Sequence, residues 1–444
     1  MLAIREALLW LTVIVLLSIL LWRRHGKQIK SLFQKKKARR SWSLKPKSPD
    51  ECPACVEEVT LRTVNPIPSE LPPPWETVKG PGGPKKTVET EGHACDNAEC
   101  VYSRIRDASI HALAGNGVRG ETDDIQRLIC QACGNRFSVR RHTALQDLKT
   151  DPQRIELAMN LAAEGVDIAV IARVLNHCED TIARWLERAG RQASLLHDYF
   201  FRDLVLPYLQ VDELQTKIRQ WAGEKAWLWA AIDPRTKIIP TLYIGGRKTL
   251  DAMAFVHELT LRLAADCVPL VTSDGLRQYF WALTAHFGYW IMLPRKRKPT
   301  WIVDARLRYG QLKKMRRGRK LQYIQTEVLC GSRQAVRQTL EALGFSSIIN
   351  TSFIERLNLT LRQMIAPLTR RTWSLAQTEQ KLMLHLEWGR SYYHFARYHS
   401  SLSLGKHLPR HLRQRTPAMA AGLTGHRWRT LDILSMPLVA QGGA

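Results

Sequence analysis

Residues 208–214 read YLQVDEL and residues 269–275 read PLVTSDG. Each is a short run dominated by apolar residues. The first ends in an acidic pair, and the second leads directly into Asp274-Gly275, a turn signal. The two runs predict strands that deliver Asp212 and Asp274 at or near their ends.

The segments around them supply an order. Residues 226–232 (AWLWAAI) form a buried apolar run, and residues 237–244 (KIIPTLYI) follow the turn Asp233-Pro234-Arg235-Thr236. The first three strands therefore predict an antiparallel meander. A helix over 249–265 comes next, then the strand 269–273, then a helical stretch to Phe287. Strand, strand, strand, helix, strand, helix is the order of a ribonuclease H-like α/β sheet. In such a sheet the first and fourth strands lie side by side, so Asp212 and Asp274 should converge. A third acid should arrive on a later helix, and residues 350–362 (NTSFIERLNLTLR) offer Glu355. Asn358 and Arg362 follow at three and seven residues, on the same helix face. A single Asp after an apolar strand is most often a turn residue, whereas three acids in strand, strand and helix order are harder to reach by accident. Glu213 and Asp233 compete for one of the acid positions.

Such an acid set points to phosphodiester chemistry. Two Mg2+ or Mn2+ ions about 4 Å apart need hard oxygen ligands, one ion activating the attacking oxygen and the other steadying the leaving 3′ oxygen. Asp212 is expected to bridge the ions, with Asp274 and Glu355 completing one each. The planar fork of Arg362 suits a scissile or flanking phosphate. Between Asp274 and Glu355 lie two basic runs, Arg295-Lys296-Arg297-Lys298 and Lys313-Lys314-Met315-Arg316-Arg317-Gly318-Arg319-Lys320. They read as an insertion over 295–325 that tracks phosphates, with Lys313, Lys314, Arg316 and Arg317 as candidate contacts. A solvated charged loop is the plainer alternative.

Upstream, apolar residues Ile155, Ala158, Met159 and Ala162 recur at helical spacing. Pro152 suits a first turn and Gly165 a stop. A second short helix is predicted over 168–174, and a third over 179–189 after the Asn176-His177 turn. Ile182, Trp185 and Leu186 face inward on the third helix, leaving Glu179, Asp180, Ala183, Arg184 and Arg188 outside. This is the layout of a helix-turn-helix, whose last helix enters the major groove. Any three-helix bundle shows a similar period, so the motif gains its meaning from its neighbours.

The chain has nine cysteines, and six of them fall in three close pairs before residue 134. Cys52-x2-Cys55 comes first, then Cys95-x4-Cys100, then Cys130-x2-Cys133-Gly134. In a reducing compartment paired spacing points to metal rather than disulfides. The spacing predicts one structural Zn2+ on Cys95, Cys100, Cys130 and Cys133. A set that exchanges one of these pairs for Cys52 and Cys55 stays open. Cys178, Cys267 and Cys330 read as core thiols.

Residues 7–22 (ALLWLTVIVLLSILLW) are an apolar run of sixteen, followed by a basic stretch over 23–47. As a helix the run falls short of a hydrocarbon core of about 30 Å. A membrane anchor with the rest of the chain in the cytoplasm, a membrane-surface helix, a self-associating helix and residues upstream of the true start are all compatible with it. The Pro- and Gly-rich stretch 65–86 reads as an extended linker.

Across 444 residues, 66 Lys and Arg face 40 Asp and Glu, a formal net charge of +26. That excess implies a polyanionic partner, nucleic acid or anionic lipid. The length holds two or three domains.

These residues resemble the DDE transposases of bacterial insertion sequences, nearest the insertion-sequence-one group. The resemblance spans about 95–437 and includes Val211-Asp212-Glu213-Leu214, Thr272-Ser273-Asp274-Gly275, residues 350–362, Arg371-Thr372-Trp373, Tyr392-Tyr393-His394-Phe395 with His399-Ser400-Ser401-Leu402, and residues 415–423 (RTPAMAAGL). It implies Asp212, Asp274 and Glu355 as the catalytic acids with Arg362 as the basic partner. It also implies an oligomeric enzyme that binds inverted repeats and joins freed 3′ hydroxyls to target DNA, in the cytoplasm on the nucleoid. The apolar start and the Cys52 pair depart from the simpler family pattern. The expected organisation is an apolar and basic segment (1–47), a Cys pair with linker (48–92), a zinc element (93–145) and a helix-turn-helix (146–195), then a ribonuclease H-like catalytic domain (200–390) and a helical tail (391–444). Two other readings remain: a DNA-binding regulator without catalysis, and a membrane-tethered nucleic-acid-binding protein.

Overall fold

The computed structural model describes residues 71–79, 88–119, 125–294, 298–318, 320–405, 407–409 and 413–438. Cys52, Cys55, residues 7–22 and the first basic run up to Arg297 lie outside the described residues. Among the described residues, no helix is long and apolar enough to cross a membrane.

The chain is a mixed α/β protein built on a mixed six-stranded sheet. A small antiparallel sheet comes first, from β1 (Leu113–Arg119), β2 (Ile125–Cys130) and β3 (Arg136–Ser138). Three helices follow: α1 (Pro152–Ala163), α2 (Ile168–Leu175) and α3 (Glu179–Phe200). Their boundaries are written in the sequence. Asp151 accepts from the Gln153 N–H at 3.0 Å and Pro152 opens α1, while Asp167 accepts from Ala169 N–H at 2.8 Å to start α2. Asn176, in the left-handed region at φ 53°, ends α2.

The third helix departs from expectation. Predicted over 179–189, it runs to Phe200 and buries Ala193, Leu196 and His197. The reason lies in Gly190: a Cβ there would stand 2.4 Å from the backbone oxygen of Leu384, so the missing side chain lets another helix pass at close range. That partner is α8, introduced below. Because α3 crosses the expected 195/200 boundary, the three helices and the large sheet share one apolar cluster, in which Ile155, Trp185 and Leu196 meet Leu209, Val211 and Trp229.

The large sheet contains β4 (Tyr208–Lys217), β5 (Lys225–Ile232), β6 (Leu242–Gly245) and, after α4 (Thr249–Arg262), β7 (Leu270–Ser273). Next come α5 (Gln278–His286) and a hairpin of β8 (Gly288–Ile291) and β9 (Thr300–Val303). The sheet then resumes with β10 (Arg308–Arg317) and β11 (Lys320–Cys330). Its strand order is β11-β10-β7-β4-β5-β6. Strands β4, β7 and β10 run parallel, while β5, β6 and β11 each run antiparallel to the neighbour that precedes them. The second basic run is therefore not a loop inserted into the domain. It is the fifth strand of the sheet and its hairpin partner, because Tyr309 and Leu312 are buried and seat β10 beside β7.

Helices α6 (Arg333–Ala342), α7 (Ser352–Met364) and α8 (Glu379–Ser391) complete the fold. Side chains alternate along β4. Leu209 and Val211 join Phe255 of α4 and Tyr279 of α5 on one face, whereas Leu214 joins Ile354, Leu357 and Leu361 of α7 on the other. The C-terminal part packs into the same body, with Phe395, Trp428, Ile433 and Leu434 buried. Tyr393 and His394 are buried as well.

Candidate active site and cysteine cluster

The parallel pairing of β4 with β7 aligns Val211 with Ser273. Asp212 and Asp274 are the next residues on each strand, so the two acids meet where β7 ends. Asp212, Glu213 and Asp274 each bring a carboxylate oxygen within 4.8 Å of the others. Successive residues on β4 point to opposite faces, and Asp212 and Glu213 both reach Asp274 because β7 ends at Ser273 while β4 runs on to Lys217. Burial, followed by the nearby Asp274 and Glu213 charges, pushes the Asp212 carboxyl up to about 7. Glu213 is pushed up to about 7 as well, by burial and then by Asp274, against the pull of Arg247.

Glu213 has partners of its own. Arg247 donates to Oε1 through Nε at 2.9 Å and through Nη2, and the Tyr279 hydroxyl donates to Oε2 at 3.3 Å. Arg247 also lies over the Trp227 ring, 4.5 Å from its centroid. Glu213 thus ties β4 to the start of α4 and to α5 while remaining in the acid cluster.

The expected third acid takes another position. Glu355 is not among the three clustered acids. It accepts from the Thr351 hydroxyl at 2.7 Å and pairs with the Lys314 ammonium on β10. It stays close enough for its charge to raise Asp212 further. The residue of α7 that touches the cluster is Asn358, whose Nδ2 donates to Asp212 Oδ2 at 2.8 Å. Asn358 is 9% exposed, and its Oδ1 is a buried acceptor without a hydrogen-bond partner.

Gln210 fixes α7 against β4. It is fully buried, and its Oε1 accepts from Phe353 N–H and Ile354 N–H, both at 3.0 Å, satisfying two donors of the helix start. Its Nε2 donates to the Tyr208 hydroxyl at 2.8 Å and to the Asn350 carbonyl at 2.9 Å. Sequence patterns did not single out Gln210. A polar residue two before Asp212 in an apolar strand, hence on the same face, was the available signal.

Arg362 does not reach the acids. Its guanidinium donates to the carbonyls of Leu368 at 2.9 Å and Gln215 at 3.2 Å, so it braces the end of α7 against β4. At position seven after Glu355 it lies two turns along the helix, beyond the end of the cluster.

These donors fit a divalent cation. Crowded carboxylates repel one another when ionised, and an unpartnered buried amide oxygen stands beside them. Hard oxygen ligands of this kind are what Mg2+ or Mn2+ take.

The second candidate centre lies at the small sheet. The sulfurs of Cys95, Cys100, Cys130 and Cys133 are all within 4.8 Å of one another, with Cys95 and Cys133 3.6 Å apart and Cys100 and Cys130 3.7 Å apart. Four thiolates around one Zn2+, with Zn–S near 2.3 Å, stand about 3.8 Å apart. Gly134, at φ 75°, turns the chain after the second pair, and its N–H donates to the Cys130 carbonyl at 2.7 Å. Burial is the main cause raising Cys95 and Cys130 to about 11. A cation is what would favour the thiolates in such a place. Asn135 Nδ2 donates to Asp96 at 2.8 Å and approaches Cys95 Sγ at 3.7 Å, and Asp96 also pairs with Arg141 and His142.

The expected DNA contacts divide. Glu179, Asp180 and Arg184 are exposed at the start of α3. Arg188 is not a free surface group: its Nε donates to the Ala144 carbonyl at 2.9 Å and its Nη2 to the Gln146 carbonyl, which holds the preceding segment against α3. Lys313, Lys314, Arg316 and Arg317 all lie on β10. Lys313 pairs with Glu327 across the hairpin, and Arg317 is exposed.

No protein-family model and no curated protein matches the chain.

Proposed function

We propose that this protein is a metal-dependent enzyme that cuts and joins DNA phosphodiesters, a DDE transposase with a ribonuclease H-like catalytic fold. The observation that carries this reading is the meeting of Asp212 and Asp274 on adjacent parallel strands. Three antiparallel strands followed by two parallel ones, with the first acid on the central strand, support the ribonuclease H-like assignment. The excess of basic residues supports a nucleic-acid substrate.

Asp212, Asp274 and Asn358 Oδ1 would hold Mg2+ or Mn2+, with Glu355 joining from α7. Bound ions would supply Lewis acidity to the phosphoryl oxygens. Gln210 and Asn358 keep α7 and β4 in register, so the ligand set is organised before substrate arrives. The exposed start of α3, with Arg184, supports DNA binding by a helix-turn-helix, and the four cysteines support a structural Zn2+. Element ends and target DNA as partners, a homo-oligomer, and a place on the nucleoid follow from the same reading.

The test is Mg2+- or Mn2+-dependent cleavage and strand transfer on DNA carrying the element's own ends, comparing wild type with Asp274→Ala after matching their DNA affinity. Activity lost in the variant supports the reading. Binding without activity in the wild type moves it to a DNA-binding regulator whose acids are structural.

A further inference from the structure

Strand β10 outruns its neighbour. Its pairing with β7 stops at Gln311 opposite Ser273, whereas its pairing with β11 continues from Lys313 opposite Gln325 to Arg317 opposite Lys320. The excess is a two-stranded ribbon of about 17 Å at 3.4 Å per residue. It begins beside the acids, since Leu312 follows Gln311 as Asp274 follows Ser273. Lys314 pairs with Glu355, and the Lys313 stem lies 3.1 Å from where a Cβ on Gly275 would stand.

The ribbon's composition is unusual for a sheet edge. Residues 312–326 contain no acid, and six of them are Lys or Arg. Edge strands are often charged to block pairing with other chains. Here the charges gather on the inner strand β10, while the outer strand β11 leaves Leu321, Tyr323 and Ile324 about half exposed. Edge protection would put them the other way round. Because side chains alternate, Lys313 and Lys314 also project from opposite faces. A flat phosphate track needs charge on one face only.

We infer that the β10–β11 ribbon enters the major groove of duplex DNA beside the active site, which rests on the proposal that DNA is the substrate. A two-stranded ribbon fits that groove, which has phosphate rows on both sides and base edges on its floor. Lys313 at the base of the ribbon and Arg317 with Lys320 at its tip put basic groups at both ends of the inserted stretch, within reach of the flanking rows. The Met315–Tyr323 and Lys313–Gln325 pairs share one face, where apolar contact and an amide can meet base edges.

The test uses the full chain and a mixed-sequence duplex. Affinity is measured across a salt series, and protection of guanine N7, a major-groove atom, is read by methylation. Arg317→Ala with Lys320→Ala should weaken binding and make the salt slope shallower by about 2, one for each phosphate no longer neutralised. Tyr323→Ala with Gln325→Ala should expose guanines that the wild type protects, with the slope unchanged. Arg333→Ala with Arg337→Ala, removing the same charge from α6, should do neither. Unchanged slope and protection in both ribbon variants, with wild-type binding intact, would overturn the inference alone. So would a change confined to self-association by sedimentation, which assigns the edge to a second copy. Failure of the wild type to bind duplex removes the DNA reading and this inference together.

Discussion

Asn358 on α7 donates a hydrogen bond of 2.8 Å to Asp212 on β4, while its other amide atom, Oδ1, stays buried without a partner. One side chain thus joins the helix to the strand and keeps an acceptor beside the acids.

Replacing Asn358 with Ala removes both the join and the acceptor. Losing the hydrogen bond that orients the Asp212 carboxylate costs by itself roughly 10- to 100-fold in metal affinity or activity, and losing the Oδ1 ligand adds to it. Mn2+ titration followed by electron paramagnetic resonance should show this loss, with circular dichroism unchanged. Wild-type Mn2+ affinity in the variant would mean that Asn358 only packs.

The pH dependence of stability has a definite sign. Asp212 and Glu213 are raised to about 7 in the folded chain from ordinary carboxylate values near 4. The folded state therefore binds more protons than the unfolded state between about pH 4 and pH 7, and this cluster makes the metal-free protein less stable as pH rises through that window. Asp212→Asn should flatten the decline in thermal melting. Added Mn2+ should stabilise the wild type more at pH 7 than at pH 5. A metal-free stability that rises from these groups across the window would contradict the crowded arrangement.

The cysteine cluster predicts one zinc per chain by elemental analysis. Cys130→Ser should abolish it, because Cys130 is fully buried at the centre of the small sheet's apolar cluster. Loss of metal should also remove a folding transition, since binding energy at such a site is folding energy. Cys178, expected in the core, is instead exposed where α3 begins, outside the cluster, so Cys178→Ser should keep the full zinc content.

Arg362→Ala discriminates between a phosphate contact and a brace. The structure predicts a stability loss of about 1 kcal/mol by urea denaturation, from losing the hydrogen bonds to the Leu368 and Gln215 carbonyls, the second of them open to solvent. The salt slope of DNA binding should not move. A shallower slope with unchanged stability would restore the phosphate role.

Much of the site could be read along the chain because local patterns report local geometry. The runs 208–214 and 269–273 are strands, although β4 continues to Lys217 and leaves Asp212 in mid-strand, residues 350–362 overlap the helix that carries Glu355 and Asn358, and Asp151, Asp167 and Asn176 bound their helices where such residues act as caps. The spacing of Cys95, Cys100, Cys130 and Cys133 likewise matches the four sulfurs that meet.

Only the tertiary structure decided which of these groups touch. Periodicity places Glu355, Asn358 and Arg362 on one helix face, but the depth of α7 against β4 brings Asn358 to Asp212, Glu355 to Lys314 and Arg362 to backbone carbonyls. Charge density marked residues 313–320 as basic without telling a loop from a strand, since that distinction came from burying Tyr309 and Leu312 beside β7. The length of α3 was hidden for the same reason: the close approach at Gly190 depends on a helix nearly two hundred residues away. Sequence spacing sets the direction in which a side chain points, whereas contact depends on how elements distant in sequence pack.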